Sequence, residues 1–356
     1  MIRSKALLSL GKQVDRKPTN GKRKVYFSGI QPTGEPHLGN YLGFIKNWVK
    51  IQNAEPSETK LYLSVVDLHA ITTKYVPAKE MSDGILKMTA GLIACGVDPV
   101  KTVLFKQSDV LEHTQLSWIL SSLQTIAKLQ RQPQFKDKSL KYKNGEVPVG
   151  LLSYPVLQSA DVLLYKATHV PVGEDQQQHI NLMVDLATKF NLTTGTSTLQ
   201  IPQAVITKQA RVKSLRDPGK KMSKSDPQPL SRISIYDSEA EIGKKIQKAV
   251  TDGIREISYE PRQRPGVSNL LEMLGEFENV SSELLVQNFQ GKDTVALKKH
   301  LAHTINQELK DVRRQYSDLV KNPEEISKIL KQNGEIARSE AANTIREVKE
   351  IIGLSW

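Results

Sequence analysis

The chain has 356 residues, 38% of them hydrophobic and 25% charged, with 50 Lys and Arg against 38 Asp and Glu. This balance excludes a disordered chain and fits a folded protein of two domains. The single Cys95 excludes an internal disulfide framework or a cysteine-built zinc cluster. No apolar run approaches the roughly 20 residues that span a bilayer, so no membrane partner is expected. The formal net charge of +12 favours a polyanionic partner, because neutralised phosphates release counterions.

Residues 1–24 hold eight Lys or Arg and one acid, Asp15, with Ile2, Leu7, Leu8 and Leu10 as apolar positions. The pattern predicts a mitochondrial transit peptide, with a solvated basic tail as the alternative. Val25-Tyr26-Phe27-Ser28 then reads as a strand that ends at the turn-rich Gly29-Ile30-Gln31-Pro32-Thr33-Gly34. A helix is predicted from about Leu38, with Leu42, Ile45 and Val49 on one face. Leu61 to Val66 and Thr102 to Phe105 are short runs of buried-strand type, and helical patterns cover Met81 to Cys95 and Leu111 to Leu129. Thr168 to Gly173 reads as a further strand and exit turn, followed by a helix from Glu174 to Phe190. Strands alternating with helices predict an α/β fold with a doubly wound, Rossmann-like parallel sheet. From Glu239 onward charged helical patterns dominate, with breaks near Pro261 to Gly266, Gly291 and Pro323, so the C-terminal domain is expected to be mostly helical.

Two short segments carry the chemistry. His37-Leu38-Gly39-Asn40 falls just beyond a strand end, where doubly wound sheets bind nucleotides, and Gly39 permits close backbone approach. Lys221-Met222-Ser223-Lys224-Ser225, preceded by Lys220, places mobile positive charge on a loop suited to a triphosphate. Together they point to an adenylate-forming enzyme. His113, His169, His179, His300 and His303 show no metal-ligand arrangement, and structural or surface roles are expected for them. Trp118 and Trp356 are read as packing residues.

The two segments resemble the signatures of class I aminoacyl-tRNA synthetases. Phe27-Ser28-Gly29-Ile30-Gln31-Pro32-Thr33-Gly34, Val66-Asp67-Leu68-His69-Ala70-Ile71-Thr72 and Val170-Pro171-Val172-Gly173-Glu174-Asp175-Gln176 narrow the resemblance to tryptophanyl-tRNA synthetases of the bacterial and mitochondrial type. It runs from about Val25 through the C-terminal helices. It implies ATP with Mg2+, L-tryptophan and tRNA(Trp) as substrates and partners, a homodimer, and no protein-ligated metal. With the tail over 1–24 read as a transit peptide, the resemblance implies a catalytic domain with a short connecting insertion over 25–230 and a helical tRNA-recognition domain over 231–356. The tail pattern predicts the mitochondrial matrix as the location.

The resemblance also assigns residues. His37, Asn40, Lys138, Lys221 and Lys224 correspond to catalytic positions. ATP would further meet Gln31, Pro32, Thr33, Gly34, Gly39, Gly173, Glu174, Asp175, Met222, Ser223 and Ser225. Tryptophan would meet Phe27, Gln31, His69, Tyr154, Gln158, Asp161, Val170, Val172 and Gln176, with Asp161 accepting the indole N–H. Gln158 stands where bacterial enzymes usually carry methionine, so recognition of the indole could be shared between Gln158 and Asp161. A tyrosine-specific synthetase, a non-catalytic RNA-binding relative and a small-molecule nucleotidylyltransferase are the rival readings. The short interval between the two signatures leaves no room for a hydrolytic editing domain, as suits an amino acid with a polar handle.

Overall fold

The computed structural model describes residues 23–72, 75–143, 145–173, 177–206, 212–224 and 226–355. The predicted tail and Trp356 therefore fall wholly or mainly outside the described residues, as do Glu174, Asp175, Gln176 and Ser225. Five strands, β1 (Val25–Ile30), β2 (Lys60–Val65), β3 (Thr102–Lys106), β4 (His169–Val172) and β5 (Gln203–Ile206), form one sheet in the order β3-β2-β1-β4-β5. Every pairing is parallel. Strands of such a sheet are covered on both faces, which is why β1, β2 and β3 read as near-continuous apolar runs. The short β5, with Gln203 and Ile206 exposed, lacks that signal and was not expected.

Helix α1 (Leu38–Asn40) passes through a π-helical turn (Tyr41–Ile45) into α2 (Lys46–Ala54), and Leu38, Leu42, Ile45 and Trp48 are buried. Then follow α3 (Asp67–Ala70), α4 (Ala78–Ala94), α5 (Glu112–Ser121), α6 (Ile126–Gln130), α7 (Pro133–Ser139), α8 (Val149–Leu163) and α9 (Gln177–Thr194). The single helix expected over Leu111 to Leu129 is two. Thr125 Oγ1 accepts from the Lys128 N–H at 3.3 Å and so starts α6 afresh. Helix α8 was not foreseen, because it carries Pro155 and buries residues on almost every side, leaving no stripe to read. Trp118, expected to pack, is 81% exposed on α5.

The C-terminal part is helical as expected: α10 (Glu239–Gln247), α11 (Pro265–Glu278), α12 (Ser282–Asn288), α13 (Thr294–Val320) and α14 (Pro323–Ile351). Pro265 and Pro323 open α11 and α14 in the first turn, where a missing N–H costs nothing. Ser238 and Glu241 form a reciprocal capping box on α10. These helices share a core with the sheet. Leu61 and Leu63 of β2 belong to the same apolar cluster as Leu271 of α11 and Ile305 of α13. Helix α14 lies along β3, and Lys166 pairs with its Glu347 at 2.6 Å.

The loop after β1 rests on α4 where that helix carries glycine. A Cβ built on Gly84 would stand 2.5 Å from the Pro32 carbonyl oxygen, and one on Gly91 would stand 2.4 Å from Pro36 Cγ. Gly84→Ala is expected to lower stability by about 1–2 kcal/mol, the strain exceeding the helix-propensity gain of alanine. Urea denaturation checks it: a higher midpoint would show that the loop does not rest on the helix in this way.

Candidate active site

The sheet order reverses at β1, so a crevice opens outside the C-terminal ends of β1 and β4. Gln31 to Asn40 leave β1 there, Asp67 to His69 leave β2, Gln107 leaves β3 and Gly173 leaves β4. Topology thus gathers at one edge residues that the sequence scatters over more than a hundred positions.

His37 caps α1 and is 5% exposed. Its Nδ1 accepts from the Gly39 N–H at 3.0 Å, and its own backbone N–H donates to Asn40 Oδ1 at 3.2 Å. Burial, reinforced by the charges of Lys224, Arg232 and Lys221, pushes the imidazole pKa down to about 3. The ring is therefore neutral at physiological pH, and with Nδ1 accepting, its proton sits on Nε2 as a donor.

A distant segment holds this turn in place. The Leu38 N–H donates to Ile233 O at 2.8 Å, the Ile235 N–H donates to Pro36 O at 3.3 Å, and His37 bridges Ser234 in antiparallel fashion. The lysine-rich loop leads into that segment. Val212 and Met222 pair through a 3.0 Å bond from the Met222 N–H, and the buried Met222 side chain anchors the loop to the core. Lys220 turns outward to Asp217 at 2.8 Å, and Lys221 is exposed. Lys224 turns inward, its Nζ donating to Gly34 O at 3.2 Å, and burial lowers its pKa to about 8. Gly34 has φ 71°, a conformation that favours glycine. Beside these groups lies a cavity of about 820 Å³ whose lining includes Thr33, Gly34, Lys224, Arg232 and Ser234.

A second cluster surrounds Asp161 of α8, which is 2% exposed. Its Oδ2 lies 2.7 Å from His69 Nε2, and its Oδ1 lies 2.6 Å from His113 Nδ1 and accepts from Gln107 Nε2 at 2.7 Å. Burial alone would raise this carboxyl's pKa, but the two imidazoles outweigh it and hold the group well below the usual carboxylate range. His113 and Gln107 were missed as site residues. Gln107 carried a usable signal, since it directly follows a strand end. Its Oε1 also accepts from the Leu68 N–H at 3.2 Å, tying the exits of β2 and β3 together.

The cluster extends outward. The Tyr154 ring meets His69 edge-on at 6.4 Å, and its hydroxyl donates to Gln134 Oε1 at 2.7 Å. Lys138 Nζ sits 5.1 Å from the centre of the same ring. His69, Tyr154, Asp161 and Lys138 are thus brought together, while His37, Asn40 and Lys224 form the other group. Phe27 is buried and stacks on Tyr165 at 5.4 Å, and Val170 and Val172 are buried on β4. Gln31 is exposed, and Gln158 is half-buried on α8. Pro32, Gly173 and Met222 are buried, whereas Thr33 is exposed.

The family described as class I tRNA synthetases (W and Y) matches residues 19–310. The chain is 47% identical over 330 residues to the mitochondrial tryptophan–tRNA ligase of Caenorhabditis elegans, covering 92% of this chain and 91% of that protein. The tryptophanyl-tRNA synthetase of Mycoplasma pneumoniae superposes with a TM-score of 0.81 at 32% identity, covering 94% of this chain and 98% of that one. A structure of the Campylobacter jejuni tryptophanyl-tRNA synthetase with ADP and tryptophan gives a TM-score of 0.77 at 32% identity, covering 93% and 100%.

Removing the Asp161 carboxylate strands two imidazoles and an amide. Asp161→Ala is expected to destabilise the protein by roughly 3 kcal/mol. Because the folded carboxyl lies below its ordinary value of 3.8, the stability it lends is complete above that pH and is lost as pH falls below it. Denaturation of Asp161→Asn from pH 5 to pH 2 should show a shallower acid-side loss than the unsubstituted protein; equal slopes would contradict the assignment.

Proposed function

The chain belongs to the class I tRNA synthetases for tryptophan and tyrosine, and we propose that it is a tryptophan–tRNA ligase serving mitochondrial translation. The observation that carries the reading is the meeting of two remote motifs: Lys224 reaches the Gly34 carbonyl beside the neutral His37. A half-buried cation, a fixed N–H donor and an adjoining cavity suit a triphosphate whose leaving group gains charge.

In the first step a tryptophan carboxylate oxygen bonds to the α-phosphorus of ATP as the bond to the bridging oxygen breaks, releasing pyrophosphate. In the second, a ribose hydroxyl of the tRNA terminus attacks the acyl carbon and AMP departs. The chain forms no covalent bond in either step, so positioning and charge stabilisation supply the acceleration. His37 Nε2–H and Asn40 contact the nucleotide, Lys221 and Lys224 hold the pyrophosphate, and Lys138 is a further phosphate-contacting lysine. Gln31, Pro32, Thr33, Gly34, Gly39, Gly173, Glu174 and Asp175 are assigned to the rest of the ATP site, together with Met222, Ser223 and Ser225. Mg2+ would accompany ATP as part of the substrate and would offset phosphate charge.

Asp161 supports the choice of amino acid. A carboxylate offers about four acceptor sites, and His69, His113 and Gln107 take three, leaving one for an indole N–H. A substrate without that N–H leaves the buried acceptor unpaired and is disfavoured. Phe27, Tyr154, Gln158, Val170, Val172 and Gln176 complete the amino-acid pocket. The remaining organisation is proposed with it: a transit peptide over 1–24 directing the protein to the matrix, a catalytic domain over 25–230, a tRNA-recognition domain over 231–356, and a homodimer.

Amino-acid-dependent ATP–pyrophosphate exchange tests the reading. Exchange with tryptophan alone among the twenty amino acids is expected, and exchange with tyrosine would overturn the specificity. Lys224→Ala should reduce exchange by about 100-fold or more with little change in melting temperature. Because Lys224 must be charged to hold phosphate and its pKa is about 8, kcat/KM for ATP should fall as pH rises through that value. A Lys224→Ala profile that keeps the same alkaline limb would assign it to another group.

A further inference from the structure

We propose that Arg232 is a further phosphate-binding residue for the leaving pyrophosphate, lying outside both motifs. The inference rests on the ligase reading and adds a group to its site. Arg232 immediately precedes the clamp in which Ile233 O accepts from the Leu38 N–H and Ser234 bridges His37. Its backbone is thereby fixed relative to the His37 turn. Its side chain lines the same cavity as Lys224 and Gly34, and its charge reaches His37.

The guanidinium is available. Nη1 donates to the Asp226 carbonyl at 2.8 Å, which uses one of five donors, and among the described residues Arg232 pairs with no carboxylate. Lys87, which also lines the cavity, is instead paired with Glu35 at 2.8 Å. The cavity's remaining acids, Glu80 and Asp83, come from α4 together with Lys79, so that wall carries both signs, whereas Lys224 and Arg232 come from the segment that follows the loop hairpin. A polyphosphate therefore lies along the Lys224–Arg232 side. Lysine meets phosphate as a point charge, while arginine can donate two parallel N–H bonds to one phosphate, which fixes its orientation. Arg232 would orient the pyrophosphate that Lys224 neutralises.

The competing explanation is that Arg232 only ties the loop to the core through Asp226. Arg232→Gln retains an amide donor but no charge, and Arg232→Lys retains charge but no fork. In tryptophan-dependent exchange, Arg232→Gln should raise the half-saturating pyrophosphate concentration by about tenfold, the loss of one charge-assisted bond, with the KM for tryptophan within twofold. Arg232→Lys should fall between it and the unsubstituted protein. Unchanged pyrophosphate saturation, or an equal rise in the KM for tryptophan, would overturn the proposal. Calorimetric binding of inorganic tripolyphosphate to the same three proteins decides the matter without exchange activity. A protein that binds tripolyphosphate through Arg232 yet shows no exchange would sink the ligase reading and leave this site standing, while tripolyphosphate binding indifferent to Arg232 would remove the site.

Discussion

Two backbone hydrogen bonds between Pro36–Leu38 and Ile233–Ile235, which set His37 opposite Ser234, are the constraint on which the site depends. They join a turn at the start of the sheet to a segment near the start of the helical part. Without them the neutral His37 and the lysine loop have no reason to face each other. Backbone hydrogen bonds suit this task because they fix position without demanding particular side chains. The side chains are then free to carry charge, and Lys224, Lys221 and Arg232 do so at little cost in packing.

The electrostatic character of the two groups differs for a physical reason. Around His37 the neighbours are cations, so burial and repulsion act together and the imidazole stays neutral. Around Asp161 burial and attraction oppose one another, and the two imidazoles win. One region is thus prepared for an anionic ligand. The other has satisfied its own anion almost completely and keeps little capacity to spare.

The helical part takes a share in holding the site. Tyr316 of α13 stacks on Tyr236 at 5.4 Å, the Tyr236 hydroxyl donates to Glu35, and Glu35 pairs with Lys87 of α4. Tyr41, within the π-helical turn after His37, donates to Glu308 of α13 at 2.6 Å. Helix α13 therefore braces both ends of the His37 turn, and α14 covers β3. The glycines of α4 let the turn settle from the remaining side.

The strands β1 to β4 were legible in the sequence as short apolar runs bounded by turns, and the breaks near Pro261 to Gly266, Gly291 and Pro323 marked divisions among the C-terminal helices, two of which open on Pro265 and Pro323. It also singled out His37, Asn40, Lys221 and Lys224 as candidates, through two short motifs in which glycine, histidine and lysine cluster. Helix α8 was hidden by burial on all sides and by Pro155, and β5 by its exposed positions. His113 and Arg232 were not legible, because His113 matters through Asp161, 48 positions away, and Arg232 through a cavity wall, while Gln107 offered only its place just after a strand end, its partners Leu68 and Asp161 lying 39 and 54 positions away. Periodicity reports what one element does with its own faces. Which strand exits, loops and charges share a space came from the folded sheet and its packed helices, because that follows from contacts between segments and not from the pattern within any one of them.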